Sequence, residues 1–256
     1  MLSTGLVSIT FREFSPEKIV EIVKEAQLES IEWGGDVHVP HGDLKTAEKV
    51  ALLTRRAGLK VADYGSYYRV GESETEGLKF SDVLATAKVL GAEVVRVWAG
   101  RKNSQDATAE YWKGVVSETV RIADAAEEED VKISFEFHDG TLNNTAESSV
   151  RFLADINHRN VKTHWQPMHG AGMERNCQSI EVLMPWIFAV HTFHWWPTLR
   201  DKHLLAEGES DWTGYIEEFR NSGREIPFLL EFVKDGSVES FFADAATLKS
   251  WIGSKF

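Results

Sequence analysis

Four polar side chains stand at the ends of apolar, strand-like stretches, and their types suit one metal centre. Residues 131–145 alternate Ile133, Phe135 and Phe137 with Ser134, Glu136 and His138, the period of a strand with one apolar face. A Gly-containing loop follows at once. Later stretches end alike: in Gln166, in His191, and in Glu231, which sits opposite Phe228, Leu230 and Phe232. A carboxylate facing a protein interior is costly unless it is paired, protonated or bound to a cation. Two carboxylates, an amide oxygen and an imidazole are hard donors suited to Mn²⁺, Mg²⁺ or Co²⁺, with Zn²⁺ also admissible. The alternative is a polar layer bonded to Arg96 or to a lysine. His194 competes with His191 for the imidazole position. Strand parity groups His191 with Ala189 and Phe193 and favours it.

The elements that must position these groups follow a regular order. Strands are expected at residues 5–11, 30–33, 61–64, 94–98, 131–137, 161–166, 188–193 and 227–232. Between them run helical patterns at 15–26, 44–57, 76–90, 107–128, 145–156, around 180–184, 211–220 and 238–251. Ser15-Pro16-Glu17 is a strong helix start, and Gly58 and Gly91 follow helix ends. Strict alternation implies parallel strands, and eight units match a closed (β/α)8 TIM barrel of the α/β class, one domain over residues 1–256. An open doubly wound sheet would call for a Gly-x-Gly-x-x-Gly turn after the first strand, and none is present.

In such a barrel, functional groups collect at the C-terminal strand ends. Eight of the nine histidines are expected on that face: His38, His41, His138, His164, His169, His191, His194 and His203. Only His158 belongs to the other end. The loop 34–42, rich in Gly, Asp and His, makes His38 a candidate substrate contact, and His138 belongs at the rim. Trp98, Trp195 and Trp196 are candidate walls of a pocket, whereas parity turns Trp33 towards the helices if Glu32 faces in. Arg200 is a candidate partner for a phosphate or carboxylate.

The net charge of −12 argues against a nucleic-acid partner. A lone cysteine, Cys177, fits a reducing cytoplasm, and neither a signal peptide nor a membrane-spanning run is expected.

The sequence resembles the sugar phosphate isomerase/epimerase family of the xylose isomerase-like TIM barrel superfamily. The likeness spans the chain: Ile31-Glu32-Trp33-Gly34-Gly35-Asp36-Val37-His38-Val39, then Glu136-Phe137-His138, then Leu229-Leu230-Glu231. The superfamily includes ketose 3-epimerases, hydroxypyruvate isomerase, inosose dehydratase and endonuclease IV. The resemblance implies a metal site of Glu, Asp, His and Glu on strands five to eight, falling on Glu136, Gln166, His191 and Glu231. It also implies an Asp-x-x-His whose histidine contacts substrate, matched by Gln166 to His169. Gln at 166 departs from the family's Asp, removes a negative charge and implies weaker hold on the cation.

By this resemblance, the expected activity is metal-dependent isomerisation or epimerisation of a ketose or sugar phosphate through an enediolate. Glu136 and Glu231 would transfer the proton, while His169 and Arg200 would hold substrate oxygens. A keto-cyclitol dehydratase uses the same site, with the enolate expelling hydroxide. A non-catalytic sugar-binding barrel is the third reading, and an endonuclease is disfavoured by the acidic charge and by Gln166. Association into a homo-oligomer is admissible, with no interface named by the sequence.

Overall fold

The computed structural model describes residues 1–253. Eight parallel strands close on themselves in sequence order, each followed by a helix. The strands are β1 (Leu2–Val7), β2 (Ser30–Gly34), β3 (Lys60–Arg69), β4 (Val94–Trp98), β5 (Lys132–Glu136), β6 (Val161–Trp165), β7 (Ile187–Thr192) and β8 (Ile226–Leu230). The helices are α1 (Pro16–Glu25), α2 (Leu44–Arg56), α3 (Phe80–Leu90), α4 (Ala109–Glu127), α5 (Ala146–Ile156), α6 (Gly172–Leu183), α7 (Glu209–Asn221) and α8 (Val238–Gly253). The expected (β/α)8 barrel is the observed fold. Among the described residues, no helix is long and apolar enough to cross a membrane.

Local chemistry starts several helices where the sequence says it should. Ser15 Oγ accepts from Lys18 N, with Pro16 in the first turn, and Thr108 Oγ1 accepts from Tyr111 N. Thr145 and Ser148 cap α5 reciprocally, which fixes the loop that follows β5. The outward strand faces then pack on the helices. Phe135 meets Phe152 edge-on at 5.0 Å, and Trp165, Trp212, Tyr215, Phe219 and Phe228 form one aromatic cluster under α6 and α7. Each such ring contributes about 1.5–3 kcal/mol by burial.

The inward faces divide differently. Val7, Ile9, Ala189 and Leu229 make a small apolar cluster. Beside it lies a polar layer: Glu32, Asp63, Arg96, Ser134, Glu136, His164, Gln166, His191 and Glu231 are all buried. The barrel therefore carries its charges at its centre.

Several boundaries differ from the sequence reading, each for a backbone reason. The expected strand over 5–11 ends at Val7, and residues Ser8–Phe11 form a 3-10 turn. Strand β3 runs past residue 64 to Arg69 through a register shift between Gly65 and Tyr68, where Tyr67 takes φ +56°. Helix α3 begins at Phe80 and not near 76, because Gly77 at φ +95° breaks the turn. Helix α6 is longer than expected and opens at Gly172. Strand β8 stops before Glu231, and Phe232 follows with φ +47°.

Gly65 shows how tightly the interior is built. A Cβ there would lie 2.5 Å from Glu32 Oε1 and 2.7 Å from Arg96 Nη2. Gly65→Ala is expected to destabilise the protein by about 1–3 kcal/mol, read from denaturant unfolding, because a fully packed ion pair must move. An unchanged midpoint would mean that this pair has slack.

Candidate metal and active site

The site rests on a buried ion-pair network that begins at Arg96, which is 1% exposed. Its Nε donates to Glu32 Oε1 at 2.8 Å, its Nη2 lies 2.8 Å from the same oxygen, and its Nη1 donates to Glu136 Oε2. A guanidinium survives such burial only with well-placed carboxylates on its fork. Burial pushes Glu32 up, but Arg96 and His191 outweigh it and hold the carboxyl well below its usual range. The second Glu32 oxygen accepts from His191 Nε2 at 3.0 Å. Burial disfavours charge on His191, yet Glu231 and Glu32 push it up to about 9.

Deeper in the barrel, burial and the Glu32 charge raise Asp63 well above its usual value. Burial and His191 hold His164 well below its own. Asp63 Oδ2 lies 3.2 Å from His164 Nε2, and Ser134 Oγ lies 2.6 Å from its Nδ1, so both ring nitrogens of His164 have a partner.

Above this layer the four residues singled out on strands five to eight come together. Donor atoms of Glu136, His191 and Glu231 all lie within 4.8 Å of one another. Gln166 Oε1 stands 3.3 Å from His191 Nδ1, and Glu231 Oε2 stands 3.6 Å from the same nitrogen. With Nε2–H committed to Glu32, Nδ1 faces these oxygens as a lone-pair donor once the ring is neutral. A histidine ligand oriented by a carboxylate on its other nitrogen is the usual arrangement around bound metals. Donors spread over 4.8 Å can share one cation, because hard-cation bonds are about 2.0–2.6 Å long. The residues present fit a divalent ion.

Arg96 also bonds Glu136, so the alternative of a polar layer built on Arg96 holds beside the donor set. A second group, Glu32, His164 and His191, has similar spacing, but Arg96, Asp63 and Ser134 already satisfy its outer hydrogen bonds. Burial raises the Glu231 carboxyl; His191 draws it down, the Glu136 charge raises it again, and the net shift is upward.

Glu32 had no assigned role in the sequence reading. Its alternation with Trp33, whose Nε1 donates outward to Thr54 Oγ1 on α2, was the available signal. Glu32→Gln is expected to weaken metal affinity about 10–100-fold by loosening the His191 ring, as measured by calorimetric titration. Unchanged affinity would remove Glu32 from the metal's support.

The mouth of the barrel is aromatic. His138 Nδ1–H donates to Asp139 O at 2.5 Å, and its ring lies 4.8 Å from Trp98. His138, Gln166, His169, Phe193 and Trp195 line a cleft of about 60 Å³ at the end of β5 and β6. A larger cleft of about 710 Å³ runs beside it along α5 and α6, sharing Asp139, Asn144, Met168 and His169. The small cleft includes Gln166 of the donor set, whereas the large one is lined mainly by helix surface. Phe193 and Trp195 stack at 3.7 Å, and Trp195 Nε1 donates to Phe232 O.

The other candidates fall elsewhere. His194 lines a side cleft of about 120 Å³ with Trp196 and Tyr215, close to Gly208 and His203, and is not among the converging donors. His38, expected as a substrate contact, is buried: Nδ1 is 2.9 Å from Ser8 Oγ, and its ring meets the outward-facing Trp33 edge-on. The loop 34–42 turns it back under the barrel rim. Arg200 is exposed on the loop after β7, with its backbone N–H on Thr198 Oγ1. Trp196 is 58% exposed on the same loop.

Comparisons with known proteins agree with this fold. A curated 3-dehydroshikimate dehydratase from Bacillus anthracis is 24% identical over 196 residues, covering 73% of this chain and 70% of that protein. The crystal structure of the probable 3-DHS dehydratase AsbF, involved in petrobactin synthesis in Bacillus anthracis, superposes with a TM-score of 0.81 at 20% identity, covering 97% of this chain and 99% of that one. D-psicose 3-epimerase from Clostridium cellulolyticum H10, solved with D-tagatose, gives 0.74 at 13% identity, covering 98% and 99%. These structural likenesses establish the fold, and the named relatives are enzymes. The family model described as xylose isomerase-like TIM barrel matches residues 20–251, and the chain belongs to that family.

Proposed function

We propose that the protein is a metal-dependent dehydratase of a cyclic hydroxy-ketone of the 3-dehydroshikimate type, working by proton removal next to the ketone. The observation that carries this reading is the asymmetry of the two glutamates. Glu136 has one oxygen committed to Arg96, whereas among the described residues Glu231 has an ion-pair contact with His191 alone. One free carboxylate suits a reaction with one proton abstraction. The curated 3-dehydroshikimate dehydratase relative supports the same choice.

A divalent ion held by Glu136, Gln166, His191 and Glu231 would supply electrostatic stabilisation of the charge that develops on the ketone oxygen. The side chains do the rest. Glu231 takes the proton from the carbon beside the carbonyl. The electron pair of that C–H bond forms the C=C bond, and the C–O bond at the next carbon breaks. His138 or His169, on the cleft wall, gives the departing hydroxide its proton, so that water leaves. Phe193 and Trp195 keep bulk water from the base. The neutral amide at 166 leaves two carboxylates in the donor set, which favours a modest affinity for Mg²⁺, Mn²⁺ or Co²⁺.

Epimerisation of a ketose is the second reading, favoured by the convergence of Glu136 and Glu231 within one donor group. Incubating the Mn²⁺-, Mg²⁺- or Co²⁺-loaded protein in D₂O with 3-dehydroshikimate, inososes and a panel of ketoses separates the two. Dehydration predicts loss of water and growth of conjugated or aromatic absorbance. Deuterium entering a recovered ketose without water loss would replace dehydration by epimerisation. Neither outcome under any of the three ions would leave the sugar-binding reading.

A further inference from the structure

Several cations at the C-terminal end of the barrel are paired with carboxylates. Arg12 pairs with Asp36 at 2.5 Å, Arg96 is enclosed by Glu32 and Glu136, and Arg101 pairs with Glu76. Arg69, the last residue of β3, is half-buried and has no such partner among the described residues. Its guanidinium carbon sits over Trp98, 4.0 Å from the ring centroid. Nη1 donates to Gly100 O at 3.1 Å, and no other hydrogen bond from this fork to an acceptor occurs among the described residues. Trp98 is in turn 4.8 Å from His138, so Arg69, Trp98 and His138 form one continuous stack from β3 to β5. The indole Nε1 of Trp98 is itself buried and without a partner. Burial and the neighbouring Arg101 disfavour the charge on Arg69, while the carboxylates of Glu136 and Glu76 favour it.

A half-buried guanidinium with a free fork edge suits a planar or tetrahedral oxyanion. We propose that Arg69 binds an anionic group of the substrate, a carboxylate or a phosphate, and so selects acidic substrates; the carboxylate choice rests on the dehydratase reading above. Stacking on Trp98 fixes the plane of the fork before the ligand arrives, so little side-chain freedom is lost on binding. Lys202 is another half-buried cation near the mouth, 4.7 Å over the Phe232 ring. Its ammonium is a hydrated point charge on the loop after β7, without the fork that a carboxylate or phosphate fits.

The test is binding, so it reads out whether or not the protein turns over a given compound. Calorimetric titration of the Mn²⁺-loaded protein compares 3,4-dihydroxybenzoate with catechol, and fructose 6-phosphate with fructose. The variants are Arg69→Met, which keeps an aliphatic cover on Trp98, Arg69→Lys, and Lys202→Ala. The acid is expected to bind about 10–100-fold more tightly than catechol, a gap that Arg69→Met removes, Arg69→Lys partly restores and Lys202→Ala leaves in place. If the gap appears only in the phosphate pair and depends on Arg69, the anion site stands and the dehydratase reading loses its substrate. No gap in either pair, or a gap that survives Arg69→Met in protein of unchanged melting temperature, overturns the proposal.

Discussion

Glu231→Gln is expected to lower kcat about 10²–10⁴-fold, the range of a general base, while the protein keeps its fold. The amide is nearly the same size as the carboxylate and retains an oxygen donor, but it cannot accept the substrate proton at neutral pH. Glu231 is buried beside His191, and the Glu136 charge already disfavours its ionised form. Removing its charge therefore relieves one repulsion and costs one attraction, so the unfolding midpoint should move little. Steady-state kinetics and denaturant unfolding of the same preparations check both halves. Turnover near the wild-type rate would assign the base elsewhere, with Glu136 and His138 the next to examine.

Arg96→Met is the second large effect, and it falls on stability. Arg96 touches two carboxylates from β2 and β5 and is almost wholly shielded from water. Its loss leaves Glu32 and Glu136 buried without their cation, a defect that costs about 3–5 kcal/mol and lowers the melting temperature by roughly 10 °C in a chain of this size. Two additions should recover part of the loss. A divalent ion neutralises Glu136 from the other side, and a second substitution, Glu32→Gln, removes one orphaned charge. The double variant should thus be more stable than the sum of its parts. A loss below about 1 kcal/mol for Arg96→Met alone would mean that the network is solvated or rearranged, contrary to the buried geometry described above.

The barrel was legible because strand and helix periods alternate without a break, and strict alternation admits few closed topologies. The donor set was legible because a strand has a period of two. Once Phe135 and Trp165 face the helices, Glu136 and Gln166 must face in, and the same parity separates His191 from Thr192. Parity fails where the backbone leaves the strand. Tyr67 in the left-handed region extends β3 beyond its expected end, which is why Arg69 was not seen as part of the mouth. Phe232, also at positive φ, ends β8 at Leu230, yet Glu231 still follows the inward phase of Leu229. His38 shows the opposite difficulty. A loop rich in Gly, Asp and His looks functional by composition, but composition does not give direction, and this loop turns its histidine onto Ser8 and Trp33. Asp63 and His164 were hidden for another reason: they are far apart in sequence and meet only when the barrel closes.

The most direct measurement is anomalous diffraction from crystals equilibrated with Mn²⁺. The expected result is a single strong peak bounded by Glu136, Gln166, His191 and Glu231, with the Gln166 side-chain oxygen towards the ion and the His191–Glu32 hydrogen bond retained. A peak between Glu32, His164 and His191, or no peak in the barrel at saturating Mn²⁺, would contradict the site described here.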